Sequence, residues 1–141
     1  MIKRASSSDI STLVGISQRS FESPWSVASF EAEFMKDYSH TYLFVRDRMP
    51  VAYLIVWVIK DEGEIVMLAV DKGWRKNGIG SFLLKKVMDS YPDVKSWNIE
   101  VDQKNTIAIH VYEKFSFKKT RTIANYYGAG KDAIQMTKKV K

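Results

Sequence analysis

Three β-rich runs, residues 41–46, 51–60 and 64–70, follow one another with only Asp47-Arg48-Met49-Pro50 and Asp61-Glu62-Gly63 between them. Links that short are a hairpin connection and a turn, with no room for a crossover helix, so the middle of the chain reads as a β-meander. The segments on either side must supply whatever covers that sheet.

Before the meander, residues 2–5 suggest a short strand. Ser7-Ser8-Asp9 then caps a helix with Ile10, Leu13, Val14, Ser17 and Phe21 on one face. Ser23-Pro24-Trp25-Ser26 interrupts it, and Ser26 caps a second short helix carrying Val27, Phe30 and Phe34 at i, i+3 and i+7. After the meander, a helix over 78–91 places Ile79, Phe82, Leu83, Val87 and Met88 on one stripe and stops at Pro92. Residues 97–102 alternate as a strand, with Trp97, Ile99 and Val101 facing one way and Asn98, Glu100 and Asp102 the other. A helix over 105–115 carries Ile107, Ala108, Val111, Tyr112 and Phe115, and strands at 117–124 and 133–138 close the chain around the loop 125–130. The expected order is β-α-α-β-β-β-α-β-α-β-β, an α/β mixed sheet with helices on its faces, in one domain spanning residues 1–141.

With 141 residues and 45% hydrophobic content, the chain is long enough to bury a core without staples. It contains no cysteine, which excludes a thiol nucleophile, an acyl-cysteine intermediate, iron–sulfur clusters and cysteine-ligated zinc. The longest apolar run, 51–59, falls short of the roughly 20 residues of a spanning helix, and Met1-Ile2-Lys3-Arg4 runs into serines; a cytoplasmic protein without a membrane partner is expected. The net charge of +6 fits either an anionic partner or a lysine-rich solvated surface.

Several motifs fail. In Gly73-Trp74-Arg75-Lys76-Asn77-Gly78-Ile79-Gly80 the lysine and hydroxyl of a nucleotide P-loop are replaced by Ile79 and Gly80. Gly128-Ala129-Gly130-Lys131-Asp132-Ala133 spells a dinucleotide fingerprint, but only eight residues follow it, so it is a loop. His40 and His110 lack metal-ligand spacing, and no G-x-S-x-G elbow supplies a serine; no metal is expected. What stands is a strand running into a glycine-spaced turn that opens a helix, flanked by Arg75 and Lys76. Glycines admit close backbone approach, and first-turn N–H groups with the helix dipole attract an anion.

Arg75-x-x-Gly78-x-Gly80 after a strand resembles the [Q/R]-x-x-G-x-[G/A] motif of the GNAT N-acetyltransferase superfamily. The stretch from Glu100-Val101 through Asn105, Ala108, Tyr112-Glu113 and Phe117 is similar to that family's E-V-x-x-x-N-x-x-A-x-x-L-Y-E-x-x-G-F segment. Ser23-Pro24-Trp25-Ser26, Asn125-Tyr126-Tyr127 and Asp132-Ala133-Ile134-Gln135-Met136 resemble its ribosomal-protein-alanine N-acetyltransferase branch. Ser116 departs from the pattern where a glycine is usual, which implies backbone strain or a shifted helix end, and Val111 replaces a leucine.

The resemblance implies acetyl-CoA as cosubstrate, its pyrophosphate held by Arg75, Lys76, Asn77, Gly78, Ile79, Gly80 and Ser81, with Asn105 and Tyr112 also contributing. Backbone groups of Leu68, Ala69 and Val70 would bind the acetyl carbonyl and pantetheine arm, where the family's strand bulges and splays from its neighbour. It assigns Glu100 as general base and Tyr112 as the acid that protonates the thiolate. Read as residues alone, Glu100 is a solvated carboxylate on a half-buried strand and Tyr112 a core aromatic whose hydroxyl needs a partner. Glu64, expected to be exposed, and Asp102 are rival bases. Pro24, Trp25, Tyr126 and Tyr127 offer ring surfaces to frame a peptide end, or they are packing aromatics of surface loops. The leading expectation is transfer to the N-terminal amine of a protein, a ribosomal protein by the branch resemblance, in a ternary complex without direct nucleic-acid contact. A GNAT enzyme for a small amine and a non-catalytic basic RNA- or ribosome-binding module are the alternatives.

Overall fold

The computed structural model describes residues 1–140. Strand β1 (Ile2–Arg4) leads through a 3-10 turn into α1 (Ile10–Ser20) and α2 (Val27–Phe34); β2 (Ser39–Arg46), β3 (Met49–Ile59) and β4 (Glu62–Val70) form the meander. Then come α3 (Ile79–Asp89), β5 (Ser96–Asp102), α4 (Thr106–Lys114), β6 (Lys118–Ile123) and β7 (Ala133–Lys139), the order the sequence predicts. The seven strands make one mixed sheet in the order β1-β2-β3-β4-β5-β7-β6. Only β4 and β5 run parallel, because α3 carries the chain back between them.

Each face of the sheet has its own core. Leu83, Leu84 and Val87 of α3 and Ile109 and Tyr112 of α4 pack on Leu54, Val56, Ile65, Trp97 and Ile99. Leu13 and Ile16 of α1 and Phe30 of α2 pack on Leu43, Tyr53, Ile55 and Ala69 from the opposite side. The Ser26 hydroxyl caps α2 by accepting from Ser29 N–H at 3.1 Å, as its position predicts.

The helix faces turn out rotated from the predicted stripes. Phe21 (36% exposed), Val27 (50%), Phe82 (48%) and Ile107 (79%) lie outward, while Ile16, Leu84 and Ile109 are buried. Phe21 leaves the face because α1 ends at Ser20 and the next residue is extended, φ −131°. Val27 and Ile107 sit in the first turns of short helices whose contact is centred later, on Phe30 and on Ile109 with Tyr112.

Gly63 corrects the reading of 61–63 as a turn. The reversal is carried by Lys60 at φ +56°, and Gly63 lies inside β4 opposite Trp97. A Cβ there would stand 2.4 Å from the Trp97 ring, so the glycine serves a close approach rather than a bend. Ser116 does take φ +72°, the left-handed C-terminal position that glycine usually fills, with Phe117 N–H returning to Tyr112 C=O at 3.0 Å.

Candidate active site

Strand β4 contains one extra residue. Ile55 of β3 opposes Met67, but Val56 opposes Ile65, leaving Val66 unmatched as a bulge. Side chains alternate along a strand, so one inserted residue resets the phase: Met67 and Ala69 beyond the bulge and Glu64 before it all face the α1/α2 side. On its other flank β4 parts from β5. Their pairing runs from Glu62–Ser96 to Ile65–Ile99 and stops there, while β4 continues to Val70 and β5 to Asp102. A wedge-shaped gap opens beside the bulge, edged by backbone groups of residues 66–70. The bulge lies at Val66, two residues before the 68–70 position that the family resemblance implies.

At the closed end of the gap, a cavity of about 150 Å³ is lined by Trp57, Glu64, Ile65, Val66, Glu100, Tyr126 and Tyr127. Glu64 is half-buried here and not exposed as expected. Burial, then its hydrogen bond and charge contact with Glu100, push the Glu64 carboxyl up to about 7. Glu64 therefore keeps its proton to near neutrality, with the Glu100 carboxyl beside it. Gln135 on β7 steadies Glu100, its Nε2 donating to Oε1 at 3.3 Å.

Tyr126 and Tyr127 reach the cavity from the loop between β6 and β7. Asn125 shapes that loop: its Oδ1 accepts from Gly130 N–H at 2.8 Å, and its N–H donates to Asp132 Oδ1 at 2.9 Å. The two tyrosine rings meet edge to face at 4.9 Å, and Tyr127 Oη donates to Glu100 C=O at 3.2 Å. Burial pushes the Tyr127 phenol up to about 12. Tyr112 is buried in the α3/α4 core with its ring 5.7 Å from Phe117, and burial raises its phenol well above the usual range. Trp25 packs against Phe30 at 5.2 Å, and neither it nor the exposed Pro24 lines the cavity. Asp102 lies outside it as well.

The open end of the gap leads to the start of α3. Gly78 is its N-cap at φ +73°, with open space where a side chain would stand. The first-turn N–H groups of Ile79, Gly80 and Ser81 thus face outward with no capping side chain. Lys76 and Asn77 are exposed beside them, Lys76 at φ +67°, while Arg75 Nε donates back to Val70 C=O at 2.8 Å. Asn105 uses its Oδ1 to cap α4 by accepting from Ala108 N–H at 3.1 Å. One anchor has no signal in the sequence: Arg19 on α1 holds Asp71, at the head of this loop, through Nε at 3.0 and 2.9 Å and a guanidinium nitrogen at 2.8 Å. Those partners are 52 positions apart and match no motif. Among the described residues there is no cluster of three or more metal-ligating side chains, and no helix is long and apolar enough to cross a membrane.

A gap between parallel strands, with a helix N-terminus free of side-chain caps at one end and two carboxyls at the other, can hold an anionic ligand beside a proton acceptor. The Acetyltransferase (GNAT) family matches residues 10–117, and the chain belongs to it. Members of that family use acetyl-CoA, and the protein is an N-acetyltransferase. The [Ribosomal protein bS18]-alanine N-acetyltransferase of Salmonella typhimurium is 32% identical over 137 residues, covering 93% of this chain and 91% of that protein. The Escherichia coli (strain K12) enzyme of the same description is 29% identical over 128 residues, covering 89% and 86%. The crystal structure of the ribosomal-protein-S18-alanine N-acetyltransferase from Escherichia coli superposes with a TM-score of 0.93 at 26% identity, covering 100% of this chain and 94% of that one.

Proposed function

We propose that the protein transfers the acetyl group of acetyl-CoA to the N-terminal α-amine of a protein, with a ribosomal protein as the favoured substrate. The observation that carries this reading is the gap between β4 and β5, with a helix N-terminus free of side-chain caps at its mouth and the Glu64 and Glu100 carboxyls together at its base. The relatives named for alanine N-terminal acetylation of a ribosomal protein support the substrate class.

The coenzyme supplies an acetyl group already activated as a thioester. Residues 76–81 fit its pyrophosphate through outward N–H groups, the helix dipole and the Lys76 charge. The free β4 edge between residues 68 and 70 offers the N–H groups of Leu68 and Val70 to an extended arm, with Ala69 between them paired to β3, placed to hold the carbonyl oxygen as negative charge develops on it. The Glu64–Glu100 pair takes the proton from the incoming ammonium. The proton affinity of Glu64, near 7, lies close to that of an α-amine, near 7.7–8.0, and far from that of lysine, near 10.4, so the site suits an N-terminus. Tyr112 stays protonated at neutral pH and donates its proton to the departing sulfur. Tyr126 and Tyr127 frame the peptide end, with Pro24 and Trp25 on the α1–α2 connection as the outer rim.

Mass spectrometry of peptides with free and blocked N-termini, incubated with acetyl-CoA, tests the assignment. The acetyl group is expected on the α-amine of free peptides only; equal acetylation of blocked, lysine-containing peptides would overturn it. Calorimetry tests the cofactor site separately: Gly78→Leu forces a branched side chain onto φ +73° and should abolish CoA binding.

A further inference from the structure

A second cavity of about 140 Å³ adjoins the first, and Trp57 and Glu64 form walls of both. Its remaining lining is Ile59, Glu62, Gly63 and Asn98. Ile59 is 52% exposed, and the two carboxylates of the lining face no cation within it. The shared wall is held with unusual care. Trp57 Nε1 donates at 2.5 Å to Oε2 of Glu33, a residue on α2 that is only 3% exposed. Ser39 Oγ donates to the same oxygen, and Lys36 Nζ donates to Oε1 at 3.0 Å. Lys36 also lies 4.8 Å from the Trp57 ring centre, and Tyr38 meets the ring edge to face at 5.3 Å. A buried carboxylate needs such donors, and here they hold Glu33 below the usual carboxylate range despite burial. The cluster therefore keeps a charge in α2 that ties the helix to the head of β2 through Ser39 and fixes the Trp57 indole at the groove.

We propose that Glu33 is a positioning residue whose hydrogen bond sets Trp57 as the partition between two acceptor subsites, the amine pocket and a neighbouring pocket for the side chain of the acceptor's second residue. The lining of the second pocket selects a side chain with an aliphatic stem and a positive end. The stem lies along Ile59 and the Trp57 ring, and the charge meets Glu62 with Asn98 beside it. This rests on the peptide-acceptor reading above.

The test uses three peptides that differ only at the second residue, lysine, norleucine or glutamate, with steady-state kinetics on the intact protein. The lysine peptide is expected to have the highest kcat/KM, about three- to fivefold above norleucine, and Glu62→Gln should bring the two rates together. Glu33→Leu should raise KM for the lysine peptide about ten- to hundredfold while KM for acetyl-CoA stays unchanged, and Glu33→Gln, which still accepts from Trp57 Nε1, should restore it. Equal rates for lysine and norleucine in the wild type would overturn the subsite. A Glu33→Leu protein that unfolds at the wild-type temperature yet keeps the wild-type peptide KM would overturn the positioning role. Should Glu33→Leu fail to fold, the Glu62→Gln comparison still decides the subsite and Glu33→Gln the role of its hydrogen bond, since a wild-type lysine preference in Glu62→Gln or a raised peptide KM in Glu33→Gln would overturn them. No acetylation of any of the three would instead overturn the peptide-acceptor reading itself.

Discussion

The chemistry of the site is concentrated in a few titratable side chains, and the most telling is Glu64. A carboxyl held near 7 carries its proton below that pH and cannot accept one from an amine, so activity should fall as pH drops through 7. The amine's own titration is common to every variant, so the ratio of mutant to wild-type kcat/KM isolates the pair. Glu64→Gln is expected to move the acid limb away from 7. Glu100→Gln should depress turnover by a deficit that shrinks as pH passes 7.7–8.0, where free amine becomes abundant without help. A ratio flat with pH for both variants would assign the carboxyls to positioning alone. Tyr112→Phe keeps the ring against Phe117 and removes only the hydroxyl, so it should lower kcat by a factor of up to about 10²–10⁴ with little change in stability. An unchanged kcat would return Tyr112 to a packing role.

At the scale of elements, Gly63 shows how local signals mislead. In sequence it follows Asp61 and Glu62 and reads as turn punctuation, but its place is fixed by a ring on the adjoining strand. Gly63→Ala should therefore cost about 1–3 kcal/mol in urea unfolding, the cost of overpacking, whereas an ordinary turn glycine at negative φ would tolerate alanine. Element order was legible because each element carries its own period, cap or breaker: Ser26, the 97–102 alternation and the 78–80 turn each act within a few residues. Glu100 and Tyr127 were singled out by the resemblance of their segments to the family, and both line the cavity. The Val66 bulge, the parting of β4 from β5, the Arg19–Asp71 anchor and the Glu33–Trp57 bond are pairings between distant segments, and periodicity within one segment contains no record of them. Helix faces fell between these cases. The stripes were visible, but their phase was set by which turn meets the sheet, as Ile107 outside and Ile109 inside attest.

For the whole molecule, the gap divides the sheet into β1–β4 and β5–β7–β6, which among the described residues are joined by the four residue pairs of the β4–β5 ladder and the Lys95 N–H to Asp61 C=O bond below it, and by the α3/α4 core. A cosubstrate seated along 66–70 and 76–81, as proposed, would supply the contacts that the parted strands lack, so it should stabilise this seam more than either half. Binding only to the folded state adds RT ln(1 + [L]/Kd), about 2.7 kcal/mol at a hundredfold excess over Kd, which for a chain of this size raises the unfolding temperature by about 8 °C. Hydrogen exchange should locate the gain. Amides of residues 66–70 and 76–81 should slow by more than those of β1 to β3, where β2 and β3 are paired on both sides and β1 lies at the far edge of the sheet. Substituting Gly78 should remove both the temperature shift and the local protection together, since the helix terminus is the mouth of the same seam. Protection spread evenly over β1 to β3, or a temperature shift that survives in Gly78→Leu, would place the cosubstrate elsewhere and leave the gap as a feature of packing.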